Sequence, residues 1–243
     1  MTADQLVALG ASVGACMSAL AGFFTVREIS KQRQATYRPE LVPSRTPFVA
    51  APHPFAKSFL PDRWVDRTPP ELSNAVSSET TIRINNVGLG AAKHVQLLWS
   101  FDIVAAIAQA NSYAQKSLSA AYFELKDGQL MFKAEGGKDS MSLWENQKSQ
   151  EFDYILPTAG ASASAQARIP HAFCQLVAAL MYFSNKGDSH SFPKDLPALD
   201  LVISYLDIAG TKHCAKYKMS TQIVMISGKG EFFEGYLESS RRI

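Results

Sequence analysis

Thr80-Thr81-Ile82-Arg83-Ile84-Asn85-Asn86-Val87-Gly88-Leu89-Gly90-Ala91-Ala92-Lys93-His94-Val95 is the stretch on which the fold turns. Its first six residues alternate and are rich in β-branched side chains, which predicts a strand. Asn86 to Gly90 has the composition of a turn. Lys93 to Phe101 then returns as a second strand, with Val95, Leu97 and Trp99 on one face.

Toward the C-terminus the same grammar continues. Ile103 to Ala114 predicts a helix. Tyr122–Leu125 and Leu130–Phe132 flank Asp127-Gly128, a strong hairpin signal. Phe152 to Leu156 predicts a short strand. Pro157 to Ala167, rich in Ala, Ser and Gly, reads as a loop. Ala172 to Phe183 fits a helix with Pro170 near its start. Leu199 to Ile208 alternates, with Leu199, Leu201, Ile203 and Tyr205 in one parity. Gly210 marks a turn, His213 to Met225 returns as strands, and the tail from Glu231 is weakly patterned. No βαβ rhythm and no repeat of fixed period is present. Residues 71–243 are therefore expected to form a mainly β domain, a β-sandwich with helical insertions.

Toward the N-terminus the composition changes. Residues 39–70 carry eight of the twelve prolines. Proline fixes φ and removes a donor, so an extended or irregular connector is expected, without helix or central strand. Phe48, Phe55, Phe59 and Trp64 are too apolar for a solvated linker. They either dock on the chain's own domain or form a segment that docks on a partner. His53, between two prolines, is expected to be exposed.

Residues 1–5 form a short tail, and Leu6 to Val26 is a run of 21 residues without a charge. As a helix it measures about 31 Å, matching a hydrocarbon core of about 30 Å. This predicts a transmembrane helix. A cleaved signal peptide is the rival, supported by Ala19-Leu20-Ala21 but lacking a basic n-region before the run. Within the run Gly10, Gly14, Ser18 and Gly22 recur every four residues. Such a stripe lets helix backbones approach closely, so self-association or a partner helix is expected. The basic segment 27–38 follows. Arg27, Lys31, Arg33 and Arg38 should lie at anionic headgroups and keep this end in the cytoplasm, with the N-terminus out.

Composition sets the remaining bounds. Hydrophobic residues make up 47% and charged residues 19%, so the chain can form a core and is not disordered. A mean hydropathy of −0.06 excludes a multi-pass membrane protein. A net charge of +2 gives no global field toward nucleic acid. Three cysteines, Cys16, Cys174 and Cys214, do not make a disulfide scaffold.

Arg38-Pro39-Glu40-Leu41 after a membrane helix, the Ile84–Val95 strand–turn–strand and Tyr205-Leu206-Asp207-Ile208-Ala209-Gly210 together resemble poorly characterised bacterial single-pass membrane proteins. In those, a membrane helix precedes an immunoglobulin-like β-sandwich. The shared motifs are turn glycines and strand residues, so the resemblance implies an architecture and carries no catalytic residue. Some small anchored proteins of this kind are anti-phage effectors.

The sequence carries little that specifies reaction chemistry. Gly88-Leu89-Gly90 lacks the third glycine of a dinucleotide fingerprint and leads into a strand. No G-x-S-x-G, Walker or H-E-x-x-H motif occurs. Asp188-Ser189-His190 reads as a polar loop, since sequence neighbours rarely make triad geometry. His171 and Cys174 share a helix face, but His213 and Cys214 are strand neighbours on opposite sides, so no metal site is expected. Lys212, Lys216 and Lys218 with Tyr217 are a candidate anion surface, although edge protection explains lysines there as well. Nucleic acid or a nucleotide is the least favoured ligand. No cofactor is expected.

The resulting expectation is a non-enzymatic protein of the bacterial inner membrane. Its helix would self-assemble, and its cytoplasmic sandwich would bind a protein partner or signal, as a membrane-perturbing effector does. A passive scaffold anchor and an exported envelope protein with a periplasmic binding domain are the alternatives.

Overall fold

The computed structural model describes residues 2–52, 59–65, 80–134, 139–158, 164–186, 193, 195–227 and 230–242. The chain is mainly β, with an apolar N-terminal helix. That helix, α1 (Ala3–Thr36), runs unbroken through the apolar stretch and the basic segment after it. Its 34 residues span about 51 Å. At its start Thr2 N donates to Gln5 Oε1 at 3.1 Å, and Asp4 lies where the helix dipole favours an anion. The helix stops because Pro39 disfavours helical backbone at Arg38, and Tyr37 N makes the closing bond to Arg33 O at 2.9 Å.

The strands are β1 (Leu41–Pro43), β2 (Thr46–Ala51), β3 (Arg63–Val65), β4 (Thr81–Asn86), β5 (Ala92–Ser100), β6 (Tyr122–Lys126), β7 (Gln129–Lys133), β8 (Ser140–Ser142), β9 (Ser149–Ile155), β10 (Ala165–Arg168), β11 (Leu199–Leu206), β12 (Lys212–Ser227) and β13 (Phe232–Arg242). Between them lie α2 (Ile103–Lys116), the single turn α3 (Trp144–Gln147) and α4 (His171–Lys186). Seven strands form one antiparallel sheet in the order β3-β2-β13-β12-β11-β5-β9. Two three-stranded sheets, β1-β4-β10 and β6-β7-β8, complete the set.

One core joins the inner face of the large sheet to β1-β4-β10 and to one side of α4. Trp64, Trp99, Leu201, Ile84 and Phe173 are among its members. A second core joins the other side of α4 to α2 and β6-β7-β8, through Leu176, Leu180, Ala110 and Phe132. This is why α4 is apolar nearly all round: Phe173, Cys174, Val177, Ala178 and Met181 face one core, and Ala172, Leu176, Ala179, Leu180 and Phe183 the other.

Three stretches differ from their sequence reading. The proline-rich segment supplies β1, β2 and β3, so Leu41, Phe48, Ala50 and Trp64 share a core with the domain expected at 71–243. Among the described residues β3 pairs only with Val49–Ala51, so Pro47 has no described partner on that side of β2. Phe48 and Trp64 are fully buried and stacked, with ring centroids 4.0 Å apart. Phe59 packs among Phe132, Tyr182 and Phe183. The partner-docking reading of Phe48, Phe59 and Trp64 is thereby corrected: these rings are committed to the chain's own cores. Phe55 and His53 lie outside the described residues.

The weakly patterned tail is β13, paired along its length with β12. Its inward positions run Phe233, Gly235, Leu237, so a glycine interrupts the apolar alternation. Glycine is required there, since a Cβ on Gly235 would lie 2.2 Å from Gln222 O. Part of the stretch read as a loop at 157–167 is β10, in which Ala167 alone is buried.

Candidate functional site

The joint between α1 and the β domain, beside Arg38, is held by a set of buried and half-buried hydrogen bonds. The chain leaves α1 at Tyr37 and crosses directly over the Gly88–Gly90 turn. A Cβ on Gly90 would lie 1.8 Å from Tyr37 O, and one on Gly88 would lie 2.3 Å from Arg38 O. The two glycines are therefore the floor of the helix exit, and the turn continues into β5, a strand.

Asn86 organises this joint. It is 1% exposed, and its side chain uses every hydrogen-bonding position it has. Oδ1 accepts from Glu40 N at 3.1 Å and Gly88 N at 3.2 Å. Nδ2 donates to Gly90 O at 2.7 Å and Ile155 O at 3.1 Å. Val87 N returns a bond to Glu40 O at 2.9 Å. From the large sheet Tyr205 Oη donates to Pro39 O at 3.0 Å and Tyr217 Oη to Leu41 O at 2.7 Å. Burial raises the pKa of both phenols, which keeps them neutral donors. Arg241 pairs with Glu40 at 2.9 Å on the surface. Beside Tyr205, His213 stacks on its ring and meets Asp207 Oδ2 at 3.0 Å. Burial opposes ionisation of Asp207, but hydrogen bonds from His213 and Thr211 prevail and hold its carboxyl below the usual range.

A second polar cluster joins the segment around residue 62 to β8 and α4. Ser142 Oγ donates to Gln175 Oε1 at 2.9 Å. Its 2.6 Å contact with His171 Nδ1 is therefore a bond donated by the imidazole. Gln175 Nε2 donates to Ser140 Oγ at 2.7 Å, and His171 Nε2 lies 3.8 Å from Asp62 Oδ2. Burial pushes Asp62 up to about 6. A surface cavity of about 520 Å³ opens beside Ser142 and His171. The Ser142 proton is committed to Gln175, so in this arrangement the hydroxyl ties strands to a helix rather than standing ready to attack. Sequence reasoning missed this cluster because its members lie 62, 142, 171 and 175 along the chain.

A Cβ on Gly10, Gly14 or Gly22 would meet nothing within 4 Å, so the small-residue stripe lies open in the single chain. Arg27, Lys31, Arg33 and Arg38 are exposed, the first three on the final turns of α1. Lys212, Lys216 and Lys218 line the outer face of β12, whereas Tyr217 points inward and is buried. The proposed lysine–tyrosine surface is thus divided between two faces. Cys174 is buried, which raises its thiol pKa, and Cys214 is exposed. Among the described residues no group of three or more His, Cys, Asp or Glu side chains could hold a metal ion. Asp188, Ser189 and His190 lie outside the described residues.

Fold and joint together define a mainly β chain bonded to one N-terminal helix that is long and apolar enough to cross a membrane. No protein-family model, curated protein or solved structure matches it.

Proposed function

We propose that this chain is a membrane-anchored, non-enzymatic protein of the bacterial inner membrane, with its N-terminus outside and its β domain in the cytoplasm. The domain is a sandwich in which the seven-stranded sheet faces β1-β4-β10 and α4. It binds a protein partner or signal. The helix packs against another copy through Gly10, Gly14, Ser18 and Gly22, and a change in the domain alters that packing, as a membrane-perturbing anti-phage effector requires.

The observation that carries this reading is the joint. Residues 37–41, which follow α1, are held by bonds between Glu40 and both Asn86 and Val87, by two tyrosine hydroxyls on Pro39 and Leu41, and by the close approach of Gly88 and Gly90. Rotation of the domain is then passed to the helix instead of being absorbed by a free linker. The basic residues after the apolar run favour a cytoplasmic domain. Parallel C-terminal fusions to green fluorescent protein and to alkaline phosphatase test the orientation. Fluorescence without phosphatase activity is expected. The opposite result would move the domain to the periplasm and favour an exported envelope protein.

A further inference from the structure

We propose that the end of the β domain around the helix exit docks on an anionic lipid surface, so that the domain lies against the membrane instead of swinging on α1. Six large side chains there are 47% to 64% exposed: Tyr37 at the end of α1, Val87 and Leu89 in the β4–β5 turn, Tyr154 and Leu156 at the end of β9, and Ile208 in the β11–β12 turn. Pairing places them together. Asn86 pairs with Leu41, Ala92 with Ile155 and Leu206 with Lys93, while Gly90 lies against Tyr37 O. Aliphatic tips flanked by tyrosines are the composition of a membrane interface. Arg38, Lys93 and Lys212 are exposed at the same end. Of the carboxylates there, Glu40 is engaged by Arg241 and Asp207 by His213, leaving Asp153 as an exposed acid.

The lipid is chosen over other occupants because α1 leaves from this end. With Cys16, the centre of the apolar run, at the midplane, Thr36 lies about 30 Å away along an upright helix. The outer edge of the headgroups is about 20–22 Å from the midplane. A tilt of about 20–40° lowers Thr36 to about 23–28 Å. The remaining gap is about 1–8 Å, and in this proposal the β4–β5 turn beside the helix exit fills it.

This inference rests on α1 spanning the bilayer, and the experiment separates the two. The full chain with Cys16→Ala and Cys214→Ser is reconstituted in phosphatidylcholine–phosphatidylglycerol vesicles. An environment-sensitive fluorophore is attached in turn to Met17→Cys, Leu89→Cys, Ile208→Cys and Leu118→Cys. The last site lines a cavity with Tyr182 and Lys186, and Tyr182 lies against Gly230 in the β12–β13 turn, at the opposite end of the large sheet from Lys212. Nitroxide lipids should quench labels at 17, 89 and 208 and leave 118 at full emission. If 17 is quenched but 89 and 208 behave like 118, the helix spans and the docking proposal is overturned. If 17 is also unquenched, the membrane reading fails and the docking proposal with it. If 89 and 208 are quenched only by nitroxide carried on other protein copies, the rim meets a second copy, which also overturns lipid docking.

Discussion

Asn86 shows how much one side chain can decide. Its amide bridges the helix exit, the β4–β5 turn and the end of β9, all within a buried environment. Replacement by Ala would leave the backbone groups it serves without partners, at about 1–3 kcal/mol for each group that water cannot reach. Asn86→Ala should therefore lower stability by about 2–4 kcal/mol, read as a shift in denaturant midpoint at constant slope. A change below about 0.5 kcal/mol, the range of ordinary surface substitutions, would remove Asn86 from this role. Asp62 makes a different prediction. Burial lifts its pKa from 3.8 to about 6. Below about pH 3 the carboxyl is protonated both folded and unfolded and contributes no difference. As pH rises from about 4 to 6 the unfolded chain releases this proton while the folded chain holds it, so stability is lost across that window, by about 3 kcal/mol for a shift of about two units. Asp62→Asn should match the parent at about pH 3 and exceed it by about 2–3 kcal/mol above pH 7. Equal differences at both pH values would show that Asp62 is ionised without penalty.

At the scale of elements, α1 and α4 are apolar for opposite reasons. The apolar window of α1 has none of its residues buried within the fold, whereas α4 is buried on two sides. Periodicity alone cannot tell the two cases apart; the length of its exposed apolar run makes α1 a candidate membrane span. The open glycine stripe makes the helix testable by itself. Gly14→Leu should reduce assembly of the full chain in detergent, seen as a loss of mass in sizing with light scattering. Because nothing lies within 4 Å of a Cβ at position 14, the β domain should unfold at the parent temperature. An unchanged mass would defeat helix-driven assembly. The strands divide in the same way. β11 was legible because its four inward positions, Leu199, Leu201, Ile203 and Tyr205, are all large and buried. β13 was not, because Gly235 occupies an inward position to make room for Gln222 O.

At the scale of the whole molecule, the question is whether α1 merely holds the domain or answers to it. Exchanging residues 6–26 for an unrelated polyleucine span of equal length keeps the anchor and the joint but removes the stripe. If the chain is an assembling effector, this exchange should abolish membrane depolarisation under activating conditions while the protein remains in the membrane fraction. Retention of full activity would identify a passive scaffold anchor.

The amino-acid sequence by itself determined the apolar run, the basic segment after it, the Asp127-Gly128 hairpin and most of the strands, because each is written in neighbouring residues. Asp127 and Gly128 both take positive φ, as that turn demands. Tertiary structure alone decided that the proline-rich segment contributes three strands, that Phe48 and Trp64 stack in the core, and that Gly88 and Gly90 underlie the helix exit. It alone brought Asp62, Ser142, His171 and Gln175 together. The physical reason is range: periodicity and turn chemistry act over a few residues, whereas a close approach or a shared hydrogen bond links positions tens of residues apart, and only the packed chain brings them within reach.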